Sequence, residues 1–333
     1  MSEYFDNKQL FATPSVSQYN NHMVMTNVCK ETKTKYLNID TKFCDEYNNN
    51  WLDPTKPNFN LSNYNVTIPD RINDVKRISL MNVEIPMTFY NISSSLGNNY
   101  FKITITVNEE PETKMIFIPD GQYTIDSLKN AINSKFGDFY PKISNESNYP
   151  TFGTDSNKVF LFLSQSNSQM VMDFAVDKTG EFDKYNFKSK LGWLMGFRQP
   201  SYTLNGIDEA LPFDIRQDGV LFAENNFNLN VHRYFYLAID EYSKGNQNSF
   251  ISALSNSSIN KNIIAKICVS FPLFPYNTVL NANKTNGLLM TDERTYTGKT
   301  DIQKLNIQLL DDLGRPVNLN GSDFSFGLKI ECE

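Results

Sequence analysis

The chain has 333 residues, which is enough for one large domain or two ordinary ones. Its formal net charge is −6 and its sequence pI is about 5.2. No dense basic stretch is visible that could neutralise a phosphate backbone, so the composition argues against a nucleic-acid binder. Aromatic residues make up 13% of the chain, with 25 Phe and 17 Tyr, and this bias favours β-structure.

Residues 1–35 are polar and show no hydrophobic periodicity. We expect them to form a flexible N-terminal arm that becomes ordered only against a neighbouring molecule. Residues 1–6 lack the basic and apolar regions of a signal peptide. No apolar run approaches the roughly 20 residues of a membrane span, so we expect no transmembrane segment.

From Tyr36 onward, short segments alternate between apolar and polar residues, as strands with one buried face do. In the first part of the chain the predicted strands are residues 36–41, 63–68, 78–85, 101–107 and 115–118. One helix is predicted next. Thr124 can cap it, Gly137 stands at its expected end, and an apolar stripe repeats at helical spacing at Ile125, Leu128, Ile132 and Phe136.

The middle of the chain is less regular. Residues 191–197 are apolar but contain Gly192 and Gly196, which predicts a tight helical turn or a bent core segment. A loop is predicted from about residue 200 to 219. The predicted strands around these segments are residues 159–163, 170–176, 220–223, 234–239 and 263–269.

The C-terminal part has the clearest alternation of apolar and polar residues. It predicts a long-looped β-hairpin that closes a sheet, with every large apolar side chain facing one core. The predicted core residues of this hairpin are Leu305, Ile307, Leu309, Phe324, Phe326, Leu328 and Ile330.

These elements predict an all-β fold of roughly ten to twelve short strands and one or two short helices. No βαβ alternation and no internal repeat is visible, so an antiparallel β-sandwich of jelly-roll type is the favoured architecture. We expect the jelly-roll domain to span residues 36–333, with an insertion at about 120–230. Two β-sandwich domains are the alternative.

The sequence offers little for catalysis. Only His22 and His232 could supply an imidazole, and His232 is expected to be a surface or satisfied histidine beside a strand. No nucleophile elbow, P-loop or dinucleotide fingerprint is present. The four cysteines form no C-x-x-C pair and match no zinc spacing, so reduced structural thiols are expected at Cys29, Cys44, Cys268 and Cys332.

Paired carboxylates such as Asp311–Asp312 are expected to be solvated turn residues. A calcium site that combines them with Asn318 and Asn320 is conceivable, but the spacing is not that of an EF-hand. We therefore assign no catalytic, cofactor-binding or metal-binding residue and expect no enzyme activity.

The order of several segments resembles the virion proteins of nucleocytoplasmic large DNA viruses, or giant viruses. The resemblance covers most of residues 36–333, and its most specific motif is LNIQLLDDLGRP at residues 305–316. It departs from the family pattern at residues 298–300 and through about 200–230. The other segments that carry it are residues 36–43, 65–69, 77–86, 118–125, 191–198 and 319–326.

The resemblance implies a jelly-roll capsid protein, either a penton (vertex) protein or a minor capsid protein, found in the virion and assembled in the host cytoplasm. The implied partners are copies of itself, with a homopentamer among the possible assemblies, and the major or other minor capsid proteins. Neither nucleic acid nor a cofactor is implied. A receptor- or carbohydrate-binding spike or fibre module is the alternative, and a β-sandwich hydrolase acting on polysaccharide is a third hypothesis.

Capsid subunits need rigid bodies with contact surfaces, and aromatic side chains are enriched in such surfaces. In the sequence, Phe271, Phe274 and Tyr276 lie in a Pro-containing segment and are candidate interface anchors. The same rings could equally cap the core of their own chain.

Overall fold

A computed structural model describes residues 32–44, 62–137, 150–164, 168–206, 219–242, 262–269 and 273–333. The helices in these ranges are α1 (Ile125–Gly137) and α2 (Leu191–Leu194), with 3-10 turns at Thr41–Phe43 and Phe187–Ser189. The strands are β1 (Lys33–Asp40), β2 (Asn63–Pro86), β3 (Tyr100–Val107), β4 (Glu110–Phe117), β5 (Thr151–Asp155), β6 (Lys158–Phe162), β7 (Ser168–Asp173), β8 (Ser201–Asn205), β9 (Val220–Phe222), β10 (Tyr234–Asp240), β11 (Ile263–Cys268), β12 (Val279–Asn283), β13 (Leu289–Thr291), β14 (Arg294–Leu310) and β15 (Ser325–Cys332).

The largest sheet, called the body sheet below, has eight antiparallel strands. Its order is β1-β15-β2-β14-β10-β11-β13, and β12 pairs with the end of β2. The long strand β2 joins two segments that the sequence predicts as separate strands. Pro69 does not end the strand, because the pairing with β14 shifts register around it: Lys304 pairs with Thr67, and Ile302 pairs with Ile72. A bulge accommodates a residue that has no N–H to donate to the ladder.

The predicted C-terminal hairpin is wrong in its pairing. β14 and β15 do not pair with each other, because β2 lies between them and pairs with both. Neighbouring strands are about 4.8 Å apart, so residues 311–324 reach easily across one intervening strand. Period-two alternation indicates which face of each strand is buried, but not which strand lies beside it.

A second region follows β2 in the chain and ends before β10. It contains a four-stranded sheet in the order β4-β3-β7-β8 and a three-stranded sheet in the order β5-β6-β9. The predicted helix is α1, where Thr124 accepts hydrogen bonds from Ser127 at its side chain and from Leu128 at its carbonyl. The predicted loop after residue 200 is partly wrong, because β8 begins at Ser201.

Two large hydrophobic clusters and one small one form the interior of the described residues. The body core lies on the body sheet, and the second core is built from residues between Ile92 and Ala223. The protein is therefore mostly β, with antiparallel, sandwich-like sheets and few helices, and the predicted all-β, jelly-roll-like fold is confirmed. β1 already begins at Lys33, inside the last three residues of the predicted arm. The rest of that arm, residues 1–31, lies outside the described residues.

Each region also contains a buried ion pair. In the body, Arg294 donates to Glu241 at 2.6 Å, and the Tyr296 hydroxyl donates to the same carboxylate at 2.7 Å. Burial, and then the nearby Glu241 charge, raise the pKa of Tyr296. In the second region, the buried Lys190 ammonium lies 3.0 Å from Asp183.

Candidate functional site: a cleft between the two regions

A cleft of about 810 Å³ opens between the second region and the segments just before β10 and just after β14. One wall contains α2 and the segment before it, and the other wall contains segments 228–233 and 312–315. Most of the charged side chains around the cleft are cations, with Asp312 as the carboxylate that lines it. The cations are Lys184, Lys188, Arg198, Arg233 and Arg315.

Arg198 is fixed in place on the wall of the second region. Its guanidinium lies 4.1 Å from the ring centroid of Trp193 and donates to the carbonyls of Trp193 and Phe197. The Tyr202 hydroxyl accepts a hydrogen bond from the Arg198 backbone N–H and donates to Glu224 at 2.6 Å. Burial and the hydrogen bond to Glu224 raise the pKa of Tyr202. These contacts make this wall a preorganised cationic and aromatic surface.

The opposite side of the cleft contains a tight turn built on Asp311. The carboxylate accepts the backbone N–H groups of Leu313 and Arg315 at 3.0 and 2.8 Å, and Arg315 Nε donates to it at 2.8 Å. Asp311 is only 1% exposed, so its predicted role as a solvated turn residue is wrong. The side chain of Asp312 is 26% exposed.

His232 lies beside this turn, in the segment before β10. It is 3% exposed and packs edge-on against Phe89, with the ring centroids 5.1 Å apart, and at a tilt against Phe235, with the centroids 5.3 Å apart. Its Nδ1 has no hydrogen-bond partner and is 4.0 Å from Asp312 Oδ1. The prediction of a surface or satisfied histidine is therefore wrong. Aromatic packing holds the His232 ring in the interior, and its Nδ1 has no hydrogen-bond partner there.

The candidate interface residues lie at the edge of the body core. Phe271 is outside the described residues. Phe274 is half-buried against the body core, and half-buried Tyr276 stacks on Tyr90 with the ring centroids 6.3 Å apart. Whether these residues contact a partner stays a prediction.

The seven residues of the predicted hairpin core are all buried in the body core, although their strands are not neighbours. They are Leu305, Ile307, Leu309, Phe324, Phe326, Leu328 and Ile330.

Several large apolar side chains remain exposed, and sequence reasoning did not select them as contact residues. Most of them lie outside the predicted strands, where alternation gives no indication of burial, and the sequence contains no separate signal for which face meets water. The most exposed are Tyr36, Phe43, Phe182, Tyr185, Leu273 and Met290.

No family model matches the chain, and no curated protein matches it in sequence. Among solved structures, the chain is similar to the mavirus penton protein, whose selenomethionine-labelled form was crystallised. The two are 10% identical, the match covers 90% of this chain and 100% of that one, and the TM-score is 0.46. At these values the likeness assigns neither a fold nor a role, so the fold assignment depends on the strand pairing described above. Among the described residues, no helix has the length and apolarity to cross a membrane.

Proposed function

We propose that the protein is a structural component of a large DNA virus capsid and works through protein–protein contacts, without a catalytic step. The long mixed motif at residues 305–316 and the other segments of the sequence resemblance support this role. A stiff, antiparallel, well-packed body is what a capsid subunit needs, because its contact surfaces must keep their relative positions in the assembly.

The observation that carries the proposal is the outer edge of the body sheet. β1 is its outermost strand, so it presents backbone groups on the side away from β15. Tyr36 in β1 and Phe43 just after it are each 74% exposed. An edge strand with exposed aromatic rings on a rigid body suits association with another chain, since aromatic side chains provide the anchors of many interfaces.

The finer assignment follows from which neighbour covers this edge. We propose contact with further copies of the chain, as in a vertex homopentamer, or with major capsid proteins, as in a minor capsid protein. The proposed location is the virion, with assembly in the host cytoplasm. We also propose that the second region is an insertion into the jelly-roll body.

The test combines oligomeric state with position in the particle. Mass photometry of the recombinant protein should show an oligomer that Tyr36→Ser with Phe43→Ser reduces in size at an unchanged melting temperature. Tyr185→Ser, which also removes an exposed ring, is the matched control. Cryo-electron microscopy of the particle should then place the chain at the five-fold vertex or within the facets. Its absence from purified particles would contradict the proposal.

A receptor- or carbohydrate-binding module remains the second candidate, and the cleft is the observation that favours it. Its volume is in the range of small-molecule sites, and its cations suit an anionic saccharide. Titration with a sulfated oligosaccharide tests this function. Saturable binding that Lys188→Glu abolishes would favour the carbohydrate-binding module. If no binding is detected, the capsid role is the one that remains.

A further inference from the structure

Three potential metal ligands meet beside the cleft, and two of them, His232 and Asp312, also line it. His232, Asp311 and Asp312 each offer one ligand atom, and these atoms all lie within 4.8 Å of one another. The histidine comes from the segment before β10, and the two carboxylates come from the turn after β14. β10 and β14 are paired neighbours in the body sheet, with Tyr236 opposite Leu310, so strand pairing holds the two segments together.

A second observation points from this cluster to a ligand. His232 is almost fully buried, yet its Nδ1 has no hydrogen-bond partner and lies toward Asp312 Oδ1 at 4.0 Å. A buried polar atom without a partner is costly, and native proteins retain few of them unless an ion or water satisfies the group. A gap of 4.0 Å is too long for a hydrogen bond. Two ligand atoms of a tetrahedral zinc ion lie about 3.3 Å apart, so a small rotation of the partly exposed Asp312 side chain would let both atoms reach one ion.

We propose that His232, Asp311 and Asp312 form a binding site for a divalent transition-metal ion of the zinc type. Zinc accepts imidazole nitrogen and carboxylate oxygen in four-coordinate sites, and three protein ligands leave one position for water. Calcium takes six to eight oxygen ligands, and magnesium prefers an octahedron of oxygens, so a nitrogen-containing set of three favours neither.

The nearest charges leave room for a cation at this point, although the adjoining cleft is lined mostly by cations. Asp311 is already paired with Arg315, so this pair is close to neutral. Asp312 adds one negative charge, and its nearest ion-pair partner among the described residues is His232 at 4.0 Å. Asp311 keeps its turn contacts, because a carboxylate oxygen that accepts one hydrogen bond still has a lone pair for a metal. Arg315 then orients a ligand from outside the coordination shell, as partners of metal-bound carboxylates commonly do.

The ligand set differs from the calcium site conceivable in the sequence. Asn318 and Asn320 are engaged elsewhere: Asn318 accepts the backbone N–H of Asn320, and the Asn320 side chain donates to the Thr88 carbonyl. The ion would instead connect the segment just before β10, which contains His232, to the turn after β14, which contains Asp311 and Asp312.

Isothermal titration of the full chain with Zn²⁺, after chelation of any copurified metal, tests the site. We expect one saturable site. Loss of an outer partner of a metal ligand already costs about 10–100-fold in affinity, so removing a ligand should reduce the affinity at least about tenfold in Asp312→Asn and more in His232→Ala. Asp70→Asn removes the same charge from an exposed position in β2 and should leave the affinity unchanged.

The choice of variants and one further measurement keep the outcome decisive. Asp312 is partly exposed, so Asp312→Asn should fold even if His232→Ala does not. Thiolates are zinc ligands as well, and Co²⁺ distinguishes a site that contains them, because thiolate ligation adds an intense near-ultraviolet charge-transfer band. The absence of a saturable site, an affinity unchanged in Asp312→Asn, or a thiolate band from the bound Co²⁺ would each overturn the assignment.

Discussion

The body and the second region bury their apolar residues by different means. The body core lies on long strands, above all the 24 residues of β2 and the 17 residues of β14, whose alternating side chains enter one interior. The strands of the second region have three to eight residues, and its core depends on aromatic rings supplied by helices, strands and loops. The comparison shows that one interior follows from local periodicity, while the other requires long-range packing.

The rings of the second core form a continuous series. Phe136 of α1 stacks on Phe152 of β5, with the centroids 5.8 Å apart, and Phe152 contacts Phe101 of β3 at 6.3 Å. Phe101 and Phe197 lie 5.5 and 5.0 Å from Phe174. These residues are far apart in sequence and share no period, so only the folded structure shows that they belong together.

The largest effect that the comparison predicts concerns Gly196, which shapes the turn after α2. Its φ is +101°, and a Cβ atom there would overlap the backbone carbonyl of Asn225. Left-handed backbone alone costs a non-glycine residue about 1–2 kcal/mol, and a clash with backbone cannot be relieved by rotating a side chain. We expect Gly196→Ala to abolish folded protein, measured by soluble yield and circular dichroism.

Gly321 provides the matched control. Its φ is also positive, at +77°, but no atom lies within 4 Å of the position that a Cβ atom would take. Gly321→Ala should therefore cost only the backbone term of about 1–2 kcal/mol. If the two variants were equally stable, the turn after α2 would not be the constraint on the second core.

The next effect concerns Phe326, on the buried face of β15. Replacing a buried Phe with Ala typically costs about 3–5 kcal/mol, from the lost transfer free energy and the remaining cavity. We expect Phe326→Ala to lower the free energy of unfolding by this amount in urea. Ser325 is on the opposite face and its hydroxyl bonds to exposed Glu84, so Ser325→Ala should be nearly silent. The reverse result would mean that the facing of the strand is inverted.

A smaller effect separates the two buried ion pairs. Glu241 is fully buried, so Glu241→Gln leaves the Arg294 charge without compensation and should cost about 3 kcal/mol. The side chain of Asp183 is 24% exposed, so water can partly replace it as a partner of the buried Lys190 ammonium, which also donates to the Val176 carbonyl. Asp183→Asn should therefore cost less than Glu241→Gln, about 1–2 kcal/mol. Urea unfolding of both variants checks the difference, and equal costs would show that burial does not distinguish the pairs.

Sequence patterns predicted much of the body and less of the second region. The seven predicted core residues, which lie in β14, in β15 and at Phe324 just before β15, are buried, because alternation along a strand specifies its inner face. The neighbours of these strands were not predictable, since pairing partners leave no periodic signal. The short strands β5 and β8 were missed, and so were β12 and β13 in the body, because they have three to five residues and many of these are polar. The equally short β6 and β9 were predicted because their residues are nearly all apolar.

The candidate site was less predictable than the fold. His232 and the pair Asp311–Asp312 are visible in the sequence as single residues, but strand pairing brings them together. Asp311 can be buried because the backbone N–H groups of Leu313 and Arg315 in its own turn donate to its carboxylate. These contacts depend on the backbone geometry of the turn, which the sequence pattern does not show. The cations of the cleft come from segments far apart in the chain, so no local cluster indicated it.

The smallest effect on stability concerns the N-terminal segment, where the body sheet begins. β1 pairs with β15 along its whole length, from Lys33 opposite Cys332 to Asp40 opposite Ser325, and Ile39 is buried. Residues 1–31 lack apolar periodicity, so deleting them should change the free energy of unfolding by less than about 0.5 kcal/mol while impairing assembly. Deleting residues 1–40 also removes β1 and exposes the edge of β15, so its melting temperature should fall clearly. Thermal melts of both truncations, with mass photometry for assembly, measure the two effects. A large loss of stability from the shorter deletion would show that residues 1–31 belong to the fold, because an arm that acts only between subunits contributes nothing to the isolated chain.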